Sequence, residues 1–134
     1  MRVLGLMLQV INDVTTAHIN VAGPFSNPAH LLFQEIYEGL REIADEYAER
    51  LKLLQPETTV SMFSDADTLP AAWEDIPTVQ WVFDKLAELY NLIHIYIQEY
   101  GNSNDFVSQD ILIGANKKIS HYLYLLKQMA PVLL

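Results

Sequence analysis

Four long segments of this sequence place apolar residues at the spacing of an α-helix. They cover about residues 2–21, 27–54, 78–100 and 105–130, and in each one apolar side chains recur every three or four positions. In the second segment the stripe consists of Leu31, Leu32, Ile36, Leu40, Ile43, Tyr47, Leu51 and Leu54. Because an amphipathic helix buries its apolar face against other elements, the pattern predicts long helices packed side by side.

Proline, glycine and asparagine mark the ends of these segments. Asn27 is the expected N-cap of the second helix, with Pro28 as its first residue. Gly101 is expected to end the third helix in the left-handed conformation, and Pro131 to end the fourth. Four separate helices are therefore predicted.

The connections between these helices differ in length. The first and third are short, whereas residues 55–77 contain three prolines and form a long connection, with a short extra helix expected around Leu69–Glu74. Two tight helical hairpins joined by one long connection are typical of the ferritin-like four-helix bundle. We therefore predict an all-α fold, with residues 1–134 forming a single ferritin-like domain.

Composition narrows the classes of function. The net charge is −9, so the chain does not neutralise DNA phosphates by bulk attraction. Hydrophobic residues make up 51% of the chain, which predicts an oligomer, and the absence of cysteine excludes disulfides, iron–sulfur clusters and thiol catalysis. The apolar start, MRVLGLMLQVI, continues into a helical pattern, and no apolar run is long enough for a membrane span. We expect a cytoplasmic protein.

Two of the four histidines stand on either side of the first break. His18 lies in the last turn of the first predicted helix and His30 in the first turn of the second, so the hairpin brings them to the same end. Further along the second helix, Asp45 and Glu49 are four residues apart and therefore share a helical face. Two imidazoles and two carboxylates form a mixed nitrogen and oxygen set that suits iron, zinc or manganese.

Helix length determines how these residues could share a metal ion. His30 and Glu49 are nineteen residues apart on one predicted helix, which corresponds to about 28 Å. They cannot bind the same ion within one chain, but a two-fold dimer could bring the histidines of one copy to the carboxylates of the other. The alternative for Asp45 and Glu49 is a solvated acidic face, and for His18 a cation at a helix C-terminus.

The segment from His18 to Arg50 resembles the signature of the Dps family, the mini-ferritins. The matching residues are His18, Asn20, Val21, Gly23, Phe25, His30, Phe33, Tyr37, Asp45, Ala48, Glu49 and Arg50. The resemblance implies a four-helix bundle with a short extra helix, assembled into a hollow shell of twelve subunits. It further implies that ferrous iron is oxidised, preferably by hydrogen peroxide, and stored inside as a ferric mineral that limits oxidative stress. By this resemblance, His18 and His30 of one subunit bind iron together with Asp45 and Glu49 of another.

Some positions depart from the family pattern. Gln34 stands where many members have an acidic iron ligand, so we expect it to be a weaker ligand for a second iron. Ile19 replaces a tryptophan after the first histidine, and Tyr37 or Trp73 is a candidate substitute for that aromatic ring. The chain has no lysine-rich tail of the kind that binds DNA in the family, so DNA binding is not expected.

Two further acidic residues match a different feature of family shells. Asp105 and Asp110 lie near the start of the last helix, where the resemblance places acidic pores for iron entry; the alternative is ordinary acidic residues at a helix N-terminus. His94 is expected at an interface and His121 near the surface.

Two other functions stay open. One is a shell-forming or DNA-associated stress protein whose metal site is degenerate. The other is a bundle that binds zinc or manganese without turnover. Both follow from the replacements at Gln34 and Ile19.

Overall fold

The computed structural model describes residues 2–24, 26–63, 69–70 and 73–129, and these residues form a bundle of four α-helices. The helices are α1 (Arg2–Asn20), α2 (Ser26–Leu54), α3 (Asp75–Asn102) and α4 (Phe106–Met129). Within the described part of the chain there is no β-strand. The predicted all-α fold is confirmed.

The helices pack in the order α1, α2, α4, α3 around the bundle axis. Each tight hairpin, α1 with α2 and α3 with α4, forms one side, and α1 also packs on α3 while α2 packs on α4. The long connection between α2 and α3 therefore links diagonally opposed helices, which barely touch. This is the arrangement that the alternation of short and long connections predicted.

The core is the space that the four apolar stripes enclose. Its largest fully buried side chains are Tyr47, Phe33, Leu4, Met7, Ile11, Ile36, Leu40, Leu86, Leu89, Ile93, Leu112 and Ile119. Two residues assigned to the stripe of α2 are instead exposed: Leu31 by 57% and Leu54 by 45%. Leu31 lies two positions from both buried Ala29 and buried Phe33, so it projects from the opposite side of the helix. Leu54 is the last residue of α2.

The break between α1 and α2 depends on Gly23. Its φ of 118° is a backbone conformation that a residue with a Cβ rarely adopts. Helix α2 then begins at Ser26, one residue before the predicted cap Asn27, so that Pro28 is its third residue rather than its first. Proline is tolerated there because amide groups in the first turn have no partner within the helix. Phe25 lies outside the described residues.

The long connection differs from the prediction at its end. The structure does not show the short helix expected around Leu69–Glu74: its described residues, 69–70 and 73–74, are not helical, and residues 71–72 lie outside the described part. Glu74 is the extended N-cap of α3, with φ −106° and ψ 153°. Pro77 therefore lies in the first turn of α3, where proline fits, and does not delay its start.

The turn between α3 and α4 uses a different residue from the one predicted. Gly101 is still helical, and Asn104 adopts the left-handed conformation, with φ 61°. Asparagine is one of the few residues other than glycine that take this conformation readily. The predicted extension of α4 to Ala130, ended by Pro131, lies outside the described residues.

Candidate metal centre

His18 and His30 form a stacked pair at the end of the α1–α2 hairpin. Their ring centroids are 3.6 Å apart and their planes differ by 18°. The Nδ1 of His18 donates to the carbonyl oxygen of His30 at 2.7 Å, and the Nδ1 of His30 donates to the carbonyl oxygen of His18 at 2.6 Å. Both side chains are partly buried. The prediction that the hairpin brings these two histidines together is confirmed.

The reciprocal hydrogen bonds determine which ring nitrogen can bind a metal. A carbonyl oxygen can only accept, so each Nδ1 must carry the proton. In the neutral ring, Nε2 of each histidine then has a free lone pair. A hydrogen bond from Nδ1 to a backbone carbonyl is a common way of orienting a metal-binding histidine in proteins. His18 thus bonds to α2 and does not cap its own helix.

Tyr37 and Gln34 are two residues of α2 that follow His30 at helical spacing. The Tyr37 ring meets the His18 ring edge-on, with centroids 5.3 Å apart. Of the two candidates for the missing tryptophan, Tyr37 is therefore next to the site, whereas Trp73 packs against Trp81. Gln34 lies one turn after His30 and donates its Nε2 to Glu38 at 3.1 Å.

Glu38 is a further polar residue on the face of α2 that carries His30, and the sequence predictions did not include it as a candidate. It follows His30 and Gln34 at intervals of four, so all three share a helical face. That spacing was the available signal, but it was hidden among the many acidic residues of α2.

Asp45 and Glu49 lie far from the histidine pair, as the helix-length argument required. Helix α2 is continuous from Ser26 to Leu54, so these carboxylates lie about 22 Å and 28 Å along it from His30. Both side chains are exposed. Among the described residues, no three histidine, aspartate or glutamate side chains come close enough together to bind one ion. One copy of the chain therefore holds the histidine pair and the two carboxylates in separate places.

Tyr47 lies between the two carboxylates in sequence but on the buried side of α2. Its hydroxyl is 2.6 Å from that of Tyr100, and the two rings meet edge-on, which ties α2 to α3. Burial, together with the hydrogen bond to Tyr100, raises the pKa of the Tyr47 phenol above its ordinary value. The phenol therefore stays protonated at neutral pH, and it supports this part of α2 from behind.

Asp105 precedes α4 and forms interactions within the chain. One of its carboxylate oxygens accepts from the hydroxyl of Ser108 at 2.7 Å, and the other from the Ser108 amide at 3.1 Å and from Arg50 at 2.9 Å. The hydrogen bonds from Ser108, together with the hydrogen bond and positive charge of Arg50, hold the pKa of Asp105 below its ordinary value. These contacts favour a capping role for Asp105. Asp110 is exposed and keeps its place as a pore candidate.

The remaining two histidines lie on the surface. His121 is exposed on α4, as predicted. His94 is exposed on α3, where its Nε2 is 3.5 Å from the Nε2 of Gln98, and its predicted place at an interface stays a prediction. In addition, none of the helices, as far as they are described, is both long and apolar enough to span a membrane.

Comparisons with known proteins identify solved structures that share this architecture. No family model matches the sequence, and neither does any curated protein. Among solved structures, Dps from Staphylococcus aureus is 20% identical with a TM-score of 0.81, over 96% of this chain and 92% of that one. Dps from Microbacterium arborescens in its high iron form is 18% identical with a TM-score of 0.84, over 95% and 86%. Listeria innocua Dps soaked with zinc is 18% identical with a TM-score of 0.80, over 96% and 95%. The chain therefore has the ferritin-like four-helix fold of the Dps structures.

Proposed function

We propose that this protein binds ferrous iron at sites shared between two copies of the chain, oxidises it with hydrogen peroxide, and stores the ferric product in a hollow shell. His18 and His30 of one copy and Asp45 and Glu49 of the other are the proposed ligands. The proposed assembly is a shell of twelve cytoplasmic subunits built from two-fold dimers, by analogy with the family that the motif resembles.

The observation that carries this proposal is the reciprocal bonding of the histidine pair. Stacked histidines with both Nδ1 atoms bound to carbonyl oxygens keep two Nε2 lone pairs available and oriented. The same two bonds also join α1 to α2, so the pair holds its own orientation without help from a second copy. The Dps fold supports the proposal, since structures with it include one in a high iron form.

The carboxylates are suited to complete the site. Asp45 and Glu49 are exposed, share one helical face and form no ion pair within the described residues, so both are available to a second copy. Their two negative charges would offset the charge of a ferrous ion, and carboxylate oxygens suit both oxidation states of iron. A dimer with two-fold symmetry would form two equivalent sites of this kind.

The proposed reaction balances with two ferrous ions, one hydrogen peroxide and two protons from water. Two ferrous ions each give one electron, the O–O bond of hydrogen peroxide breaks, and two protons are taken up to form two water molecules. In this scheme the ligands hold iron, and each Nδ1 keeps its proton in the hydrogen bond to the carbonyl oxygen of the other histidine.

A second candidate function is supported by Gln34. A neutral amide where a carboxylate is common lowers the negative charge of the site and weakens its hold on a hard cation. A site of this kind could bind zinc or manganese without turnover.

The experiment adds ferrous iron and then peroxide to the anaerobic protein and follows ferric absorbance. We expect fast oxidation by the wild type and by His121→Ala, which removes an exposed histidine elsewhere, but not by His30→Ala or Glu49→Ala. If the wild type oxidised ferrous iron no faster than buffer does, the proposed oxidation would be refuted and only metal binding without turnover would stay.

Mixing the two inactive variants tests the sharing of the site. If His30→Ala and Glu49→Ala subunits are unfolded together and refolded, random pairing restores about a quarter of the sites, because half of the dimers are mixed and each has one intact site. A site contained in a single chain would recover nothing. A monomer in light scattering would contradict the proposed assembly.

A further inference from the structure

Gln34 and Glu38 form a side-chain pair beside the histidines that the proposed ligand set does not use. The Nε2 of Gln34 lies 3.1 Å from Oε1 of Glu38, one helical turn further from His30. Gln34 is partly buried and Glu38 is exposed. Since an ionised carboxylate can only accept hydrogen bonds, the atom of Gln34 that faces Glu38 must be the amide nitrogen.

This hydrogen bond decides which end of the Gln34 amide is available to the site. A glutamine amide has one oxygen, which can bind a cation, and one nitrogen, which cannot because its lone pair is delocalised and its hydrogens face outward. Because the amide nitrogen of Gln34 is bound to Glu38, its amide oxygen is the terminal atom that stays free to bind a cation. His30 lies four residues before Gln34 on the same helical face.

We infer that Glu38 is a positioning residue, which holds the Gln34 amide so that its carbonyl oxygen serves as a neutral ligand for a cation next to the one at His30. The inference rests on the proposed metal site and adds a residue to it. Glu38 itself is eight residues from His30, about 12 Å along the helix, and acts through Gln34. Where the family pattern often has a carboxylate ligand, this chain would use the amide oxygen of Gln34, which the Glu38 carboxylate orients.

Cobalt(II) is the probe, because its visible absorption bands report the number and type of ligands without any turnover. The cation next to the one at His30 should be the more weakly bound of the two Co²⁺ ions. We expect Glu38→Ala to lower the affinity for this ion by about tenfold, as is common for residues that orient ligands. Glu38→Gln removes the charge but keeps an oxygen that can accept from Gln34, so it should retain more affinity than Glu38→Ala. If both variants lose the same affinity, Glu38 acts through its charge and the inference is overturned.

A second background separates orientation from charge. In Gln34→Glu both terminal atoms are oxygens, so the site no longer depends on Glu38, and Glu38→Ala should then cost little or no affinity. An equal loss in both backgrounds would overturn the inference. The matched control is Asp84→Ala, which removes a carboxylate that accepts from Gln80 at 2.8 Å with the same spacing of four on α3, and it should leave Co²⁺ binding unchanged.

The same titration distinguishes this inference from the proposed site. If His30→Ala binds Co²⁺ as the wild type does, the metal centre and the role of Glu38 are both overturned. If His30→Ala loses the ion while the Glu38 variants match the wild type, only the role of Glu38 is overturned.

Discussion

Asparagine at position 18 would separate the two roles of the histidine pair. The nitrogen of an asparagine amide occupies nearly the position of Nδ1 in histidine, so His18→Asn keeps a donor for the His30 carbonyl oxygen, which now accepts at 2.7 Å. It has no counterpart of Nε2. His18→Ala lacks both nitrogens. The two variants therefore share the loss of the proposed ligand and differ in the hydrogen bond.

The expected magnitudes follow from the two contacts. The stacked rings contribute about 0.5–1.5 kcal/mol to the free energy of unfolding beyond their buried area. The hydrogen bond contributes about another 0.5–1.5 kcal/mol. His18→Ala should thus lower stability by about 1–3 kcal/mol, and His18→Asn by only about half of that.

Urea denaturation at fixed protein concentration gives the stabilities, and Co²⁺ titration gives the binding. We expect His18→Asn to be more stable than His18→Ala, with binding equally lost in both. Equal midpoints would show that the Nδ1 bond contributes nothing to the hairpin, and wild-type binding by His18→Asn would show that Nε2 is not a ligand.

Two further predictions concern the contacts of α4. Asp105→Asn should lower stability by about 1 kcal/mol at pH 7, because it removes the charge that pairs with Arg50. Folding lowers the pKa of Asp105, so the stability difference between wild type and Asp105→Asn should be complete above the ordinary pKa of about 3.9 and shrink as the pH falls below it. Urea midpoints at pH 7 and pH 3 would show this. The control is Asp110→Asn, which changes an exposed carboxylate on the same helix. A Cβ at Gly39 would collide with the Tyr122 hydroxyl, so Gly39→Ala should cost about 1–3 kcal/mol of packing, partly offset by helix propensity. Tyr122→Phe should remove most of that cost, because the ring carbon that remains would lie 3.2 Å from the added Cβ. Thermal unfolding measures this, and a double variant no more stable than Gly39→Ala would refute the predicted collision.

Periodicity alone was sufficient to predict the four helices, because each has a continuous apolar face of several turns. It was less informative at the ends, where single residues decide: Glu74 caps α3 ahead of Pro77, and Asn104 rather than Gly101 takes the left-handed conformation. Leu31 was misassigned because a leucine beside a stripe looks like part of it in sequence, although it projects outward.

The pairing of His18 with His30 was predictable from the sequence, but the hydrogen bonds between them were not. Spacing placed His18 and His30 at one end of a hairpin, but the reciprocal bonds depend on the register across the turn, which Gly23 determines through its backbone. The contact of Arg50 with Asp105 joins residues 55 apart in sequence, and no local pattern reports it. For that reason the sequence left open whether Asp105 lines a pore or is an ordinary acidic residue at a helix N-terminus.

The proposed site makes chemistry depend on assembly, and its two halves differ in how much each needs a partner. The histidine half is complete in one chain, since each ring is oriented by a carbonyl of the other residue. The carboxylate half consists of two exposed side chains, Asp45 and Glu49, whose mutual repulsion a bound cation would relieve. A cation bound between the histidines of one copy and the carboxylates of the other would therefore stabilise the dimer. Because Gln34 adds no charge, that stabilisation should be weaker here than with a third carboxylate, and Gln34→Glu should strengthen metal-dependent association.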